Sequence, residues 1–195
     1  TNAAFIKSNL SKCSLTKCSL LEQDFSNAKL YLVQFSNSDL SGSKFDGSDL
    51  SLSNFNNATL DKCSFIGSTC RSTIFKNASL KSANFSNVSA LNANFTKANL
   101  ETAIFNGADI SKAQCSSTTC TLTNFSNANA TYANFNYAIF EDANLNGADF
   151  SFSRMHKTQF IDCDLHKSKS INIKKTDRDL AEAESWSIPQ SIFKD

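Results

Sequence analysis

The side chains in this sequence that could act as nucleophiles, redox couples or metal ligands are seven cysteines and two histidines. Cys13 and Cys18 are five residues apart, as are Cys115 and Cys120, whereas a structural zinc site draws on closer pairs and on nearby histidine. No histidine adjoins either pair. All seven cysteines (Cys13, Cys18, Cys63, Cys70, Cys115, Cys120 and Cys163) fall in two columns argued below to face inward, so free thiols packed as small apolar groups are expected. An odd number of unpaired thiols suits a reducing compartment, which makes a cytoplasmic location the expectation. His156 and His166 sit beside Lys157 and Lys167 with no Ser, Asp or Cys relay around them, a surface arrangement rather than a catalytic one. No glycine-rich phosphate loop, HExxH sequence or paired-carboxylate motif occurs. The sequence therefore predicts no enzyme, no metal, no cofactor and no small-molecule substrate.

Charge narrows the partners. Nineteen basic and 18 acidic residues among 195 leave a formal net charge of +1, too little for a whole-molecule field that gathers nucleic acid or an anionic membrane. Direct nucleic-acid binding is not expected, and neither is a strongly acidic decoy. No apolar run is long enough to span a membrane, and the first residues lack the basic and apolar blocks of a signal peptide, so a soluble chain is expected. A first residue of Thr rather than Met suggests a processed chain or a piece of a longer one.

The elements that position these side chains follow from the spacing of phenylalanine. From Phe5 to Leu165 every fifth residue can be read without an insertion, giving 33 positions: fifteen Phe, eleven Leu, Ile110, Met155, Cys70, Cys115, Cys120, Ala90 and Ala130. Fifteen of the 17 phenylalanines thus share one phase. Two residues before each lies a second column in which 30 of 33 residues are Ala, Ser, Thr or Cys. Two residues after each lies a third, which holds all five glycines together with Asn27, Asn37, Asn57, Asn77, Asn87, Asn92 and Asn127. Gly and Asn tolerate positive φ, so this column predicts a turn every five residues.

A helix would spread residues five apart around its axis, and a strand would send them to opposite faces. The chain must instead take a short extended step, turn a corner and repeat, with one large and one small side chain inward per step. Ala-Asp-Phe at 148–150, Ala-Asn-Leu at 98–100 and 143–145, and Ala-Asn-Phe at 83–85, 93–95 and 133–135 resemble the repeating unit of pentapeptide repeat proteins. The resemblance covers roughly residues 1–168. It implies an all-β fold, a right-handed quadrilateral β-helix with four units, hence twenty residues, per coil.

Sorted by that implied period, side one carries Phe25, Phe45, Phe65, Phe85, Phe105 and Phe125 in succession, side three is also Phe-rich, and Leu40, Leu60, Leu80 and Leu100 stack on side four. Ala90 and Ala130 on side two would be compensated in volume by Leu100 and Phe140 opposite. The 33 units would make about eight coils, a rod roughly 40 Å long at ~4.8 Å per strand. The Asp/Asn column between the two inward ones is expected to cap backbone N–H groups near the corners.

Some outward positions are apolar. Leu32, Leu52, Tyr132 and Phe152 would share one corner, with Tyr31 and Leu91 adjoining, and this ridge is the candidate partner surface. After Leu165 the register fails, and residues 169–195 are expected to form a C-terminal cap. Thr176-Asp177-Arg178-Asp179 resembles a capping box opening a helix that ends before Pro189, and Leu180, Trp186, Ile188, Ile192 and Phe193 would plug the last coil. At the other end the repeat starts at once, so that coil edge is expected to be covered by a second protomer, as in a homodimer, or by further sequence.

The leading functional expectation is a structural or protein-protein interaction scaffold. The resemblance also implies an alternative, a DNA-mimicking protein that binds a type II topoisomerase such as gyrase and protects it from inhibitors. The neutral net charge and the absence of loop insertions weigh against it. A repeat module of a bacterial effector is a third.

Overall fold

The structure is a computed structural model that describes residues 5–173. Parallel pairing links each residue of the central outward column to the residue twenty positions later, from Asn9 with Lys29 to Asp149 with Lys169. The period of twenty is therefore a backbone fact. Four five-residue steps close one coil, and coils stack as a parallel β-helix whose connections are right-handed, as for other parallel strand crossovers. Side one runs through the positions of Phe5 and Phe25, side two through Leu10 and Leu30, side three through Leu15 and Phe35, and side four through Leu20 and Leu40. The corner that follows each side takes its number.

Most steps pair through a single residue, too short for a named strand. On side four three adjoining coils lengthen into β1 (Thr119–Thr121), β2 (Ile139–Glu141) and β3 (Gln159–Ile161), a parallel sheet in the order β1-β2-β3.

Each corner is made by the third column. Every residue of that phase from Lys7 to Asn172 has positive φ, 29 of them non-glycine. At most corners the N–H of the next small residue donates back to the large residue's carbonyl, as in Ala28 N to Phe25 O at 3.0 Å, a hydrogen-bonded turn with the left-handed residue third. The column holds no Val or Ile, because a β-branched side chain is the costliest occupant of that conformation. Glycine has a second reason to be at 107 and 147. A Cβ there would lie 2.7 and 2.6 Å from the side-chain oxygens of Asn87 and Asn127, one coil below.

The core is the stack that the spacing implied. Rings on side one lie parallel from Phe5 to Phe125, with centroids 4.5–5.0 Å apart, and the rings of side three meet them edge-on. Phe140 fills the space left by Ala130, its ring meeting both Phe125 and Phe135. Buried hydroxyls of the small column donate to carbonyls: Ser43 Oγ to Leu20 O at 2.9 Å and Thr73 Oγ1 to Leu50 O at 2.8 Å in the coil below.

The coil geometry runs on beyond the last apolar unit. Lys169 pairs with Asp149, Ile171 accepts from Phe152 N, and Asn172 keeps the left-handed turn. The backbone ladder needs no large residue inside, so Ser170 in the large column does not end it. The expected cap residues Leu180, Trp186, Ile188, Ile192 and Phe193 lie outside the described residues. The first and last described coils are only partly covered: Phe5, Leu10, Leu15 and Leu20 at one end, and Phe160, Cys163 and Leu165 at the other, are half-buried.

Candidate interaction surface

The residues with chemical potential are spread apart by the fold. All seven cysteines are free, and Cys63, Cys70, Cys115 and Cys120 are fully inside the rod. Burial pushes the thiols of Cys63, Cys70 and Cys120 up to about 12 and raises that of Cys115 well above its ordinary value. A thiol held protonated is neither nucleophile nor metal ligand at neutral pH. Among the described residues no group of three His, Cys, Asp or Glu side chains comes together. His156 is half-buried with its ring edge-on to Tyr137 at 5.1 Å, while His166 is exposed, its backbone N–H donating to Asp164 Oδ1 at 3.0 Å. At corner four a shallow depression, open to solvent, is lined by Leu21, Glu22, Ser41, Gly42, Asp61 and Lys62.

The buried thiols make stability depend on alkaline pH. Their folded-state values lie above the ordinary value of 9.0, so their contribution is complete below pH 9 and is lost as pH rises toward 12. Cys70→Ala should reduce the slope of unfolding free energy against pH in that window by about 1 kcal/mol per pH unit. Denaturant melts at pH 9, 10 and 11 give the slope, and an unchanged slope refutes the protonated, buried thiol.

Outward residues carry the remaining information. The Asp/Asn column accepts hydrogen bonds from the next corner: Asp49 Oδ1 from Ser51 N at 3.0 Å, Asn94 Oδ1 from Thr96 N at 2.9 Å, and Asp149 Oδ1 from Ser151 N at 2.9 Å. Asp24, which accepts from both the hydroxyl and the N–H of Ser26, has its carboxyl held below the usual value. These side chains are occupied in shaping corners.

The apolar ridge lies along corner two. Tyr31, Leu52, Tyr132 and Phe152 are 37–55% exposed, and Leu32 and Leu91 are half-buried. Tyr132 and Phe152 stack with centroids 4.9 Å apart at 8°. The ridge is two exposed clusters rather than one strip, because Ser72, Asn92 and Lys112 hold the turn position between Leu52 and Tyr132 and only the half-buried Leu91 is apolar between the clusters. Leu32, Leu52, Tyr132 and Phe152 all hold φ near +60°, the conformation that Gly and Asn occupy most easily. The column reading of the sequence passed over Ile171, 62% exposed in the same line as Tyr31 and Leu91, and Leu122 and Tyr137 on other corners. The same sorting by twenty would have found them.

Charge is sorted by face, which no whole-chain sum reveals. Side three with its flanking corners comprises residues 11–17 and each stretch twenty further on, through 151–157. These 56 residues contain Lys12, Lys17, Arg71, Lys76, Lys97, Lys112, Arg154 and Lys157 and not one Asp or Glu. The other described residues hold seven basic and thirteen acidic side chains, several of them at corner four: Glu22, Asp61, Glu101, Glu141, Asp142 and Asp162. The middle column of side three is mostly amides (Gln34, Asn54, Asn94, Gln114 and Asn134, with Ser14, Ile74 and Arg154), where Asn54 donates to Gln34 at 3.1 Å and Asn134 to Gln114 at 3.2 Å.

Comparison with known proteins places this geometry. The family described as pentapeptide repeats matches residues 3–42, 108–147 and 132–166, and that described as a pentapeptide repeat region matches residues 38–115. A trypsin-treated form of QnrB1, described as a plasmid-mediated fluoroquinolone resistance protein, superposes with a TM-score of 0.65 at 19% identity, covering 90% of this chain and 97% of its own. HetL, a pentapeptide repeat protein involved in heterocyst differentiation regulation from the cyanobacterium Nostoc sp. strain PCC 7120, is 20% identical over 88% of this chain and 91% of its own, with a TM-score of 0.36. No curated protein sequence matches this chain.

Proposed function

The chain belongs to the pentapeptide repeat family, and from that membership we propose that it is a non-enzymatic scaffold: a rod of about eight coils that contacts other macromolecules through its outward columns. Family members are typically structural or interaction proteins. The observation that carries the reading is the division of labour along the chain. Two of every five residues are spent on the core, the Asp/Asn column caps corners, and the solvent-facing remainder is where the sequence varies in charge and size.

The contact edge is the corner-two ridge of Tyr31, Leu32, Leu52, Leu91, Tyr132 and Phe152. Large apolar residues in a left-handed conformation, more than a third exposed, gain little from burial and do nothing for the corner that Asn would not do better. The triple variant Leu52→Asp, Tyr132→Asp and Phe152→Asp should therefore keep its melting temperature within a few degrees while losing about tenfold or more in self-association or partner binding. Analytical ultracentrifugation and affinity capture measure both, and unchanged association with unchanged stability would make the ridge mere packing.

A topoisomerase-directed reading draws on one feature, the acidic line along corner four, since a likeness at 19% identity brings only the fold. Inhibition of gyrase supercoiling by the chain, lost on replacing Glu101, Glu141 and Asp142 with Lys, would favour it.

A further inference from the structure

We propose that side three and its flanking corners form a docking face for an anionic lipid bilayer. The inference rests on the scaffold reading and names the partner of its ridge. The first ground is charge complementarity. Eight cations lie on one side of the rod, over roughly 35 Å of its length at ~4.8 Å per coil, with no carboxylate among them. Acidic residues collect at corner four, diagonally across the section, so a surface of negative charge orients the rod with side three toward it. The sides that flank the face carry Asp49, Asp109 and Asp149 (side two) and Asp39 (side four), and each of these carboxylates is turned onto the N–H of Ser51, Ser111, Ser151 or Ser41.

The second ground separates a bilayer from other polyanions. The border of the face at corner two alternates cations (Lys12, Arg71, Lys112) with apolar tips (Tyr31, Leu52, Tyr132, Phe152). A phosphodiester backbone offers Leu52 or Phe152 nothing to bury against, whereas the headgroup and acyl boundary of a membrane takes up apolar tips flanked by Lys and Arg. Seven of the eight cations also stand at the two corners, Arg154 alone lying in the middle column, so a cylindrical duplex touching the middle of the face would meet mainly uncharged residues such as Gln34, Asn54, Asn94 and Gln114 first.

Shape is the third. Pairing at a constant twenty residues, without insertion, keeps the face free of bulges or loops that would stand out from it. Hot spots of protein interfaces gather near the centre of the contact, but here the apolar tips are spread along the length of the face, most of them at the corner-two edge, with Ile74 and Tyr137 elsewhere on it. A planar, laterally uniform partner fits that spread better than a protein pocket.

The test is co-sedimentation of the full chain with sucrose-loaded vesicles of phosphatidylcholine, alone or with one-third phosphatidylserine. Binding is expected only to the serine-containing vesicles and is expected to fall as salt rises. Arg71→Glu, Lys76→Glu, Lys97→Glu and Lys112→Glu together, all at exposed positions, should weaken it on the order of 100-fold or more. Lys29→Glu, Lys44→Glu, Lys62→Glu and Lys167→Glu make the same change in net charge on other faces and should cost less than about tenfold. No binding to serine-containing vesicles, equal loss in the two charge variants, or tighter binding to a labelled DNA duplex than to the vesicles would each overturn the inference. If vesicles fail while the triple ridge variant still loses self-association or a protein partner, the scaffold reading survives and only its lipid partner falls. If the ridge variant changes nothing either, both fall.

Discussion

Removing residues 41–60 should give a shorter rod that still folds, while removing Asn57 alone should destroy the fold. Pairing runs strictly from each residue to the one twenty later. Excision of twenty residues therefore sets Phe65 over Phe25, Cys70 over Leu30, Phe75 over Phe35 and Leu80 over Leu40, like side on like side. A repeat array loses one coil and one interface, and the remaining contacts are unchanged. Deletion of one residue shifts the later chain out of phase, so that every large side chain from Leu60 onward leaves its inward position. The cost exceeds about 4 kcal/mol, beyond what ordinary substitutions reach. Circular dichroism with thermal melting distinguishes the two, and a twenty-residue deletion as disordered as the single deletion would refute independent coils.

The second large effect is local. Phe85 stacks on Phe65 at 4.5 Å and on Phe105 at 4.8 Å, and takes the edges of Phe75 at 5.6 Å and Phe95 at 5.7 Å. Phe85→Ala opens a void closed on four sides by rings that cannot collapse into it, and should cost about 3–5 kcal/mol. Phe5 is half-buried and, among the described residues, stacks on Phe25 alone, at 4.8 Å, so Phe5→Ala should cost about 1 kcal/mol. Denaturant midpoints measure both. Equal losses would mean that the stack does not become more constraining toward its middle.

Much of the fold was legible because its period is short and unbroken. Fifteen phenylalanines in one phase, small residues two before them and Gly or Asn two after left no room for helix or strand. The corner column was equally open: what tolerates positive φ was placed where positive φ occurs, from Lys7 to Asn172. The period of twenty was less so, since alternation of Phe and Leu shows only ten, and it took the pairing of Asn54 with Ile74 and of its neighbours to fix it. The candidate surface was half visible. Tyr31, Leu32, Leu52, Leu91, Tyr132 and Phe152 were found by sorting, but their separation into two clusters depends on Ser72, Asn92 and Lys112 standing between them.

Charge marks the limit. Read along the chain, Lys12, Lys17, Arg71, Lys76, Lys97, Lys112, Arg154 and Lys157 are scattered among acids, and their sum is close to zero. Only a coil of twenty residues gathers them on one side of the rod and sends the carboxylates elsewhere. The sequence by itself determined the five-residue step, the inward columns and the turns, because each is a local preference repeated until it admits one backbone. The tertiary structure fixed the period of twenty on which any grouping of outward residues depends, because that is set by how many steps close a circuit, and closure is a property of the packed core rather than of any one step.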